Sequence, residues 1–218
     1  MAIISFENIG LGSITLNFKL EEGMSLALSG VEEVGTQKVL DTILGFSLPV
    51  SGQLLVTGED SSRFSQKQWR QFRGTVGVVS ESFGLVANLK VWENVLLPVS
   101  FHSGISSIDE QKEVVAKALD LSGFGGDPLA AAGALSRFER KQVLLARAFA
   151  IRPVLMIYDH YLNGHSYNEK QDLIRTANHY VTQNADISCL YFVDDAEGIA
   201  ALDHLHAFVE NQEGNYVR

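Results

Sequence analysis

A short continuous apolar run at 154–158 (Val-Leu-Met-Ile-Tyr), bounded by polar residues, has the character of a strand covered on both faces in a parallel sheet. It follows a helical stretch at 138–151 that Pro153 stops, and a second apolar run at 187–193 follows another helical stretch at 170–182. Strand and helix therefore alternate, which specifies an α/β fold with a mostly parallel sheet. The first residues differ. From 3 to 28, apolar and polar residues alternate in short runs punctuated by Gly10, Gly12 and Gly23, predicting an antiparallel β region that leads into a buried strand. From Thr36 the positions Val39, Leu40, Ile43 and Leu44 take helical spacing, with Gly45 as a left-handed cap. Further strands are expected at 53–56, 74–79 and 205–210. Helices are expected at 65–72, at 108–121 with Asp109 and Glu110 at the positive end, and at 197–202.

A chain of 218 residues with 46% apolar content can bury a substantial core, most simply as one domain over 1–218. The net charge of -9 and pI near 5.1 argue against a nucleic-acid partner, because polyanion binding needs clustered Lys and Arg. Cys189, the single cysteine, lies in an apolar run and reads as a buried strand residue of a reducing compartment. His204 and His206 alternate near the last strand without a third ligand nearby and read as surface residues. No apolar run approaches the roughly 20 residues that span a bilayer, and the first residues lack a signal-peptide pattern. The chain is expected to be cytoplasmic, with no direct membrane insertion and any membrane association made through a partner.

Three segments carry the chemistry. Ser29-Gly30-Val31-Glu32-Glu33-Val34-Gly35-Thr36-Gln37-Lys38 joins a strand to a helix, and Leu135-Ser136-Arg137-Phe138-Glu139 opens a helix with Ser136 as N-cap and Glu139 completing a capping box. Val154-Leu155-Met156-Ile157-Tyr158-Asp159-His160 ends a strand. In this order they resemble the phosphate loop, signature and Walker B segments of an ABC-transporter nucleotide-binding subunit. The stretch 77–98 resembles that family's Q-loop and the segment after it, and the likeness runs from about 3 to 217. It implies a P-loop NTPase-like fold: a mostly parallel core, an antiparallel β subdomain and a helical subdomain at about 82–150.

Each segment departs from the family at its chemical residues. A phosphate loop works through backbone N–H groups, a Lys that reaches the terminal phosphates and a hydroxyl that holds magnesium. Counting from Gly30 to the second glycine, Gly35, the Lys position is Thr36 and the hydroxyl position is Gln37. Lys38 comes two places late, and Glu32 and Glu33 add carboxylates where a nucleotide would bring more negative charge. The Q-loop Gln, which in the family contacts the metal, is Glu81; a carboxylate can also bind a metal. The signature glycines are Arg137 and Phe138, and the final Gln is Glu139. Asp159 matches the Walker B aspartate, while the Glu that polarises water is His160 and the switch His is Asp194.

Phosphoryl transfer depends on positioning and electrostatics, and these losses fall together. The sequence therefore reads as a catalytically degenerate cassette, a pseudo-ATPase with no catalytic residues expected at Glu81, His160 and Asp194. Its phosphate loop (Gly30, Gly35, Thr36, Gln37), signature position (Ser136, Arg137, Phe138, Glu139) and Asp159 metal position are vestigial. No cofactor is expected, weak ATP and magnesium binding being the residual alternative. The resemblance further implies a transmembrane permease docked through Phe83, Leu85, Leu89 and Trp92, and dimerisation with itself or a paralogous ABC ATPase. The stretch 91–98 has the flavour of subunits serving lipid-handling permeases. Two other readings are an unconventional ATPase using His160 and Lys38, and a soluble interaction module that kept only the fold.

Overall fold

In a computed structural model, every residue is described except 13, 32, 103–104, 106, 195–204 and 211–218. The expected helix at 197–202, Glu32 and His204 lie outside the described residues. Along the chain come β1 (Ala2–Gly10), β2 (Thr15–Glu21), β3 (Ser25–Ser29), α1 (Glu33–Ile43), β4 (Ser51–Val56), β5 (Glu59–Asp60), α2 (Gln66–Arg73) and β6 (Val76–Val79). Then follow α3 (Val91–His102), α4 (Ile108–Leu121), α5 (Arg137–Phe149), β7 (Leu155–Asp159), α6 (Tyr167–Gln183), β8 (Ser188–Val193) and β9 (Ala207–Glu210). Two compact units are formed: Met1–Arg73 with Ile157–His160 and Ala185–Arg218, and Gly74–Met156 with Tyr161–Asn184.

In the first unit, an antiparallel sheet runs in the order β2-β1-β4-β5. Strand β2 alternates strictly, burying Leu16, Phe18 and Leu20 while Thr15, Asn17, Lys19 and Glu21 face water, as a sheet with one solvated face requires. Phe18 stacks on its cross-strand neighbour Phe6 with ring centroids 4.5 Å apart. The other sheet has the order β6-β7-β8-β3-β9. Here β3 pairs in parallel with β8, from Ser25 opposite Cys189 to Ser29 opposite Val193, and with β9 from Leu26 opposite Ala207. Every residue of β3, β7 and β8 is buried, so their unbroken apolar character is that of strands with both faces covered. Cys189 is fully buried and burial pushes its thiol up to about 12, far from the lowered value a nucleophile needs. His206 is exposed, its Nδ1 accepting from the Ser25 N–H at 3.1 Å.

Helix α1 begins at Glu33, earlier than the expected Thr36. It closes as expected: Gly45 has φ +70, Phe46 N donates to Asp41 O and Gly45 N to Thr42 O, the paired bonds of a Schellman motif.

In the second unit, α3, α4 and α5 enclose a core of Val91, Val95, Val99, Val115, Leu119 and Val143. Helix α3 has no counterpart among the helices expected from sequence; Asn94, fully buried on it, holds the preceding loop by accepting from Val86 N at 2.8 Å and donating to Val86 O at 3.1 Å.

Candidate functional site

In the first unit, β3 delivers the chain to Gly30, whose φ of +69 is left-handed. Because α1 starts at Glu33, Gly35 and Thr36 lie in the first helical turn and not in the loop. A Cβ at Gly35 would collide with Ile14 Cδ1 and come within 2.8 Å of Val31 Cγ1, so aliphatic carbon faces this glycine. Thr36 is buried, and Gln37 turns its amide nitrogen one turn on to Asp41 Oδ1 at 2.8 Å. Lys38 is exposed, and its Nζ would lie 3.4 Å from a Cβ on Gly12. Its ammonium therefore stands near Gly12.

At the end of β7, Asp159 is 7% exposed. His160 follows with φ +43, a strained conformation for a residue bearing a Cβ. Its N–H donates to Phe192 O at 3.1 Å. The imidazole stands between two carboxylates, Nδ1 3.0 Å from Asp194 Oδ1 and Nε2 3.9 Å from Asp159 Oδ1. Neither ring nitrogen is aligned for a hydrogen bond, so these approaches become ion pairs only when the ring is protonated. The structure thus brings together three positions that the sequence singled out separately: Asp159, His160 and Asp194.

In the second unit, Ser136 caps α5 and the capping box forms: Ser136 Oγ accepts from Glu139 N at 3.2 Å, and Glu139 Oε2 accepts from Ser136 N at 2.8 Å. These bonds hold the Glu139 carboxyl below its usual range. They also occupy the serine hydroxyl and one N–H that a free helix N-terminus would offer an anion. Arg137 Nη1 donates to Gly164 O at 3.3 Å, and its guanidinium lies over Gly164 where an added Cβ would meet it. Phe138 meets His165 edge to face at 6.1 Å. The bulky residues at the signature position are therefore folded onto 164–165 within their own unit. Burial and the nearby Lys141 hold His165 below its ordinary value.

Glu81 comes after β6 and accepts from Lys141 Nζ at 3.0 Å. Lys141 is 1% exposed and Glu81 65%; the hydrogen bond from Lys141 draws the carboxyl below its ordinary value against the opposing effect of burial. Arg147, on the same helix, donates to Phe83 O and, at 2.8 Å, to Gly84 O. A cavity of about 430 Å3 is lined by Glu81, Leu85, Arg137, Arg140 and Lys141. Lys141 and Arg147 are not among the residues that the sequence marks as functional. A signal was there: Lys141 occupies the stripe 141, 144, 145, 148, whose other members are the apolar Leu144, Leu145 and Ala148.

The four residues expected at a docking surface, Phe83, Leu85, Leu89 and Trp92, are all half-buried. Leu85 and Trp92 pack against the core of the second unit, while Val86, not singled out from sequence, is 42% exposed. Among the described residues, no group of three or more His, Cys, Asp or Glu side chains could hold a metal ion. None of the described helices is long and apolar enough to cross a membrane.

The profile of the family described as "ABC transporter" matches residues 14–163. The chain is 26% identical over 149 residues to the "Intermembrane phospholipid transport system ATP-binding protein MlaF" of Haemophilus influenzae, covering 68% of this chain and 56% of that protein. It is 27% identical over 167 residues to the "ABC transporter ATP-binding protein YtrE" of Bacillus subtilis, covering 75% and 71%. The "Phosphonates import ATP-binding protein PhnC" of Treponema denticola is 25% identical over 194 residues, covering 84% and 73%. The match thus spans just over half the length of the Haemophilus protein. Among solved structures, the dimeric post-hydrolysis ATP-binding cassette MJ0796 bound to ADP and Pi superposes with a TM-score of 0.81 at 17% identity, over 99% of this chain and 97% of that one. The cbiO1 protein from Clostridium perfringens gives 0.82 at 18%, over 100% and 87%. At these identities, the structural likeness speaks for the fold.

Proposed function

The chain belongs to the ABC transporter family, with the fold of its ATP-binding cassettes, and on that premise we propose that it is a catalytically degenerate cassette: a structural or regulatory subunit held at the inner face of a membrane by a permease. The observation that carries this reading is the phosphate loop, where Thr36 is buried in the Lys position and Gln37, in the hydroxyl position, commits its amide nitrogen to Asp41 while its Oε1 is buried without a hydrogen-bond partner. Phosphoryl transfer needs a cation on the terminal phosphates and a metal held in place, and neither side chain supplies one. Ile14 and Val31 against Gly35, the closed cap at Ser136 and Glu139, and Glu81 paired with Lys141 all support the same reading. The residues present do not fit a magnesium–nucleotide group by the family's rules.

The resemblance at 83–98 supports docking to a permease, and the relatives' names support membership of a transport complex. Those names range over phospholipid, phosphonate, methionine and iron transport, in keeping with a cargo set by the permease. Pairing with a second cassette, either a copy or a paralogue, is part of the proposal.

A second reading draws on one approach, Asp194 Oδ1 lying 3.0 Å from His160 Nδ1, which on turning into a hydrogen bond would orient the imidazole as a general base. Calorimetry with ATP and magnesium on the full chain separates the two. No heat of binding is expected. Saturable micromolar binding would overturn the degenerate reading, and loss of any accompanying hydrolysis on His160→Ala would establish the second.

A further inference from the structure

We propose that Lys141 is a positioning residue that acts as a built-in cation for the loop at 81–84, committing the carboxylate of Glu81 to an ammonium of its own chain where the family's side chain contacts a metal. This deepens the reading of a degenerate cassette and rests on it.

The geometry is lopsided. Glu81 is largely exposed and Lys141 almost wholly enclosed, with 3.0 Å between Oε1 and Nζ. An exposed ion pair is worth little, but a buried ammonium is costly to leave without a counter-charge, so Lys141 obliges the loop to present Glu81 to it. Arg147, six residues further along α5, fixes the same loop by donating to the carbonyls of Phe83 and Gly84. Burial lowers its pKa to about 10, which still leaves it a cation at neutral pH. Two cations from one helix thus hold three of the four residues at 81–84, and the carboxylate that a divalent ion would seek is already engaged. The loop has its geometry whether or not magnesium is present.

Hydrogen–deuterium exchange on the full chain, with and without millimolar magnesium chloride, tests this directly. In the natural chain, exchange at 81–89 should not respond to magnesium. In Lys141→Gln it should quicken at least about tenfold, the loss expected for a charge-assisted hydrogen bond, and magnesium should then slow it by engaging the released Glu81. Lys141→Gln with Glu81→Gln should lose that response. If magnesium slows exchange at 81–89 in the natural chain, the assignment is wrong; that arm needs no variant to fold. Quickening in Lys141→Gln without any magnesium response would mean a purely structural ion pair and would also overturn it. A further arm with magnesium and ATP keeps the two claims apart. Slowed exchange at 29–38 alone would sink the degenerate reading and leave Lys141's role intact, whereas a response to magnesium at 81–89 sinks Lys141's role whatever happens at 29–38.

Discussion

At Glu81 the sign of the pH dependence comes from the lowered carboxyl. Its ordinary value is 4.5, and the hydrogen bond from Lys141 lowers it in the folded chain, so the unfolded chain binds the proton first as pH falls. The contribution of the pair to stability is present above 4.5 and is lost as pH drops through the folded value below it. Urea midpoints measured from about pH 5 down to about pH 3, the carboxylate range, should fall more steeply for the natural chain than for Glu81→Gln; equal slopes would show that the pair is not formed. Residues of this kind were only half legible in the sequence. Ser136 and Glu139 announced their capping box because a cap is a local pattern three residues long. The partner of Glu81 could not be read, because it lies 60 residues away and only folding brings the two together.

Elements were legible wherever periodicity carried them, as in the alternation of β2, the unbroken apolar runs of β7 and β8, and the span 108–121 that α4 occupies. The start of α1 was not, since a glycine between a strand and a helix reads as loop punctuation. Gly35 is instead required inside the first turn because Ile14 and Val31 press on it. That contact sets the sign of one substitution. Alanine is the better helix former by about 1 kcal/mol, yet Gly35→Ala should destabilise the chain by about 1–3 kcal/mol because the added methyl has to displace packed side chains. Thermal or urea unfolding decides; a stabilised Gly35→Ala would mean that the aliphatic contact is not there. Helix α3 was missed for the opposite reason, its apolar residues running almost continuously through 95–97 and on into Pro98, which blurs the helical stripe.

Over the whole molecule, the fold class was recoverable from the alternation of strand and helix along the chain and the cassette fold from the resemblance of its motif segments, whereas the strand order β6-β7-β8-β3-β9 was not. The site was recoverable only as a set of positions. The phosphate loop, Asp159, His160 and Asp194 belong to one compact unit, and Glu81 with 136–139 to the other, so what the sequence presents as one series of altered residues is two separately packed clusters. Each has its own contacts: His160 between Asp159 and Asp194 in the first, Lys141 under Glu81 and Arg137 over Gly164 in the second. The aliphatic contact on Gly35 bears on what nucleotide binding would require of this loop. Thr36→Lys with Gln37→Ser puts the family's groups beside a glycine that Ile14 and Val31 already crowd, so the double variant should stay silent in ATP calorimetry until Val31→Ala and Ile14→Ala are added; binding by the double variant alone would show that the contact is no obstacle. On the proposed reading, carbon packed against that glycine makes the way back to a nucleotide longer than two substitutions.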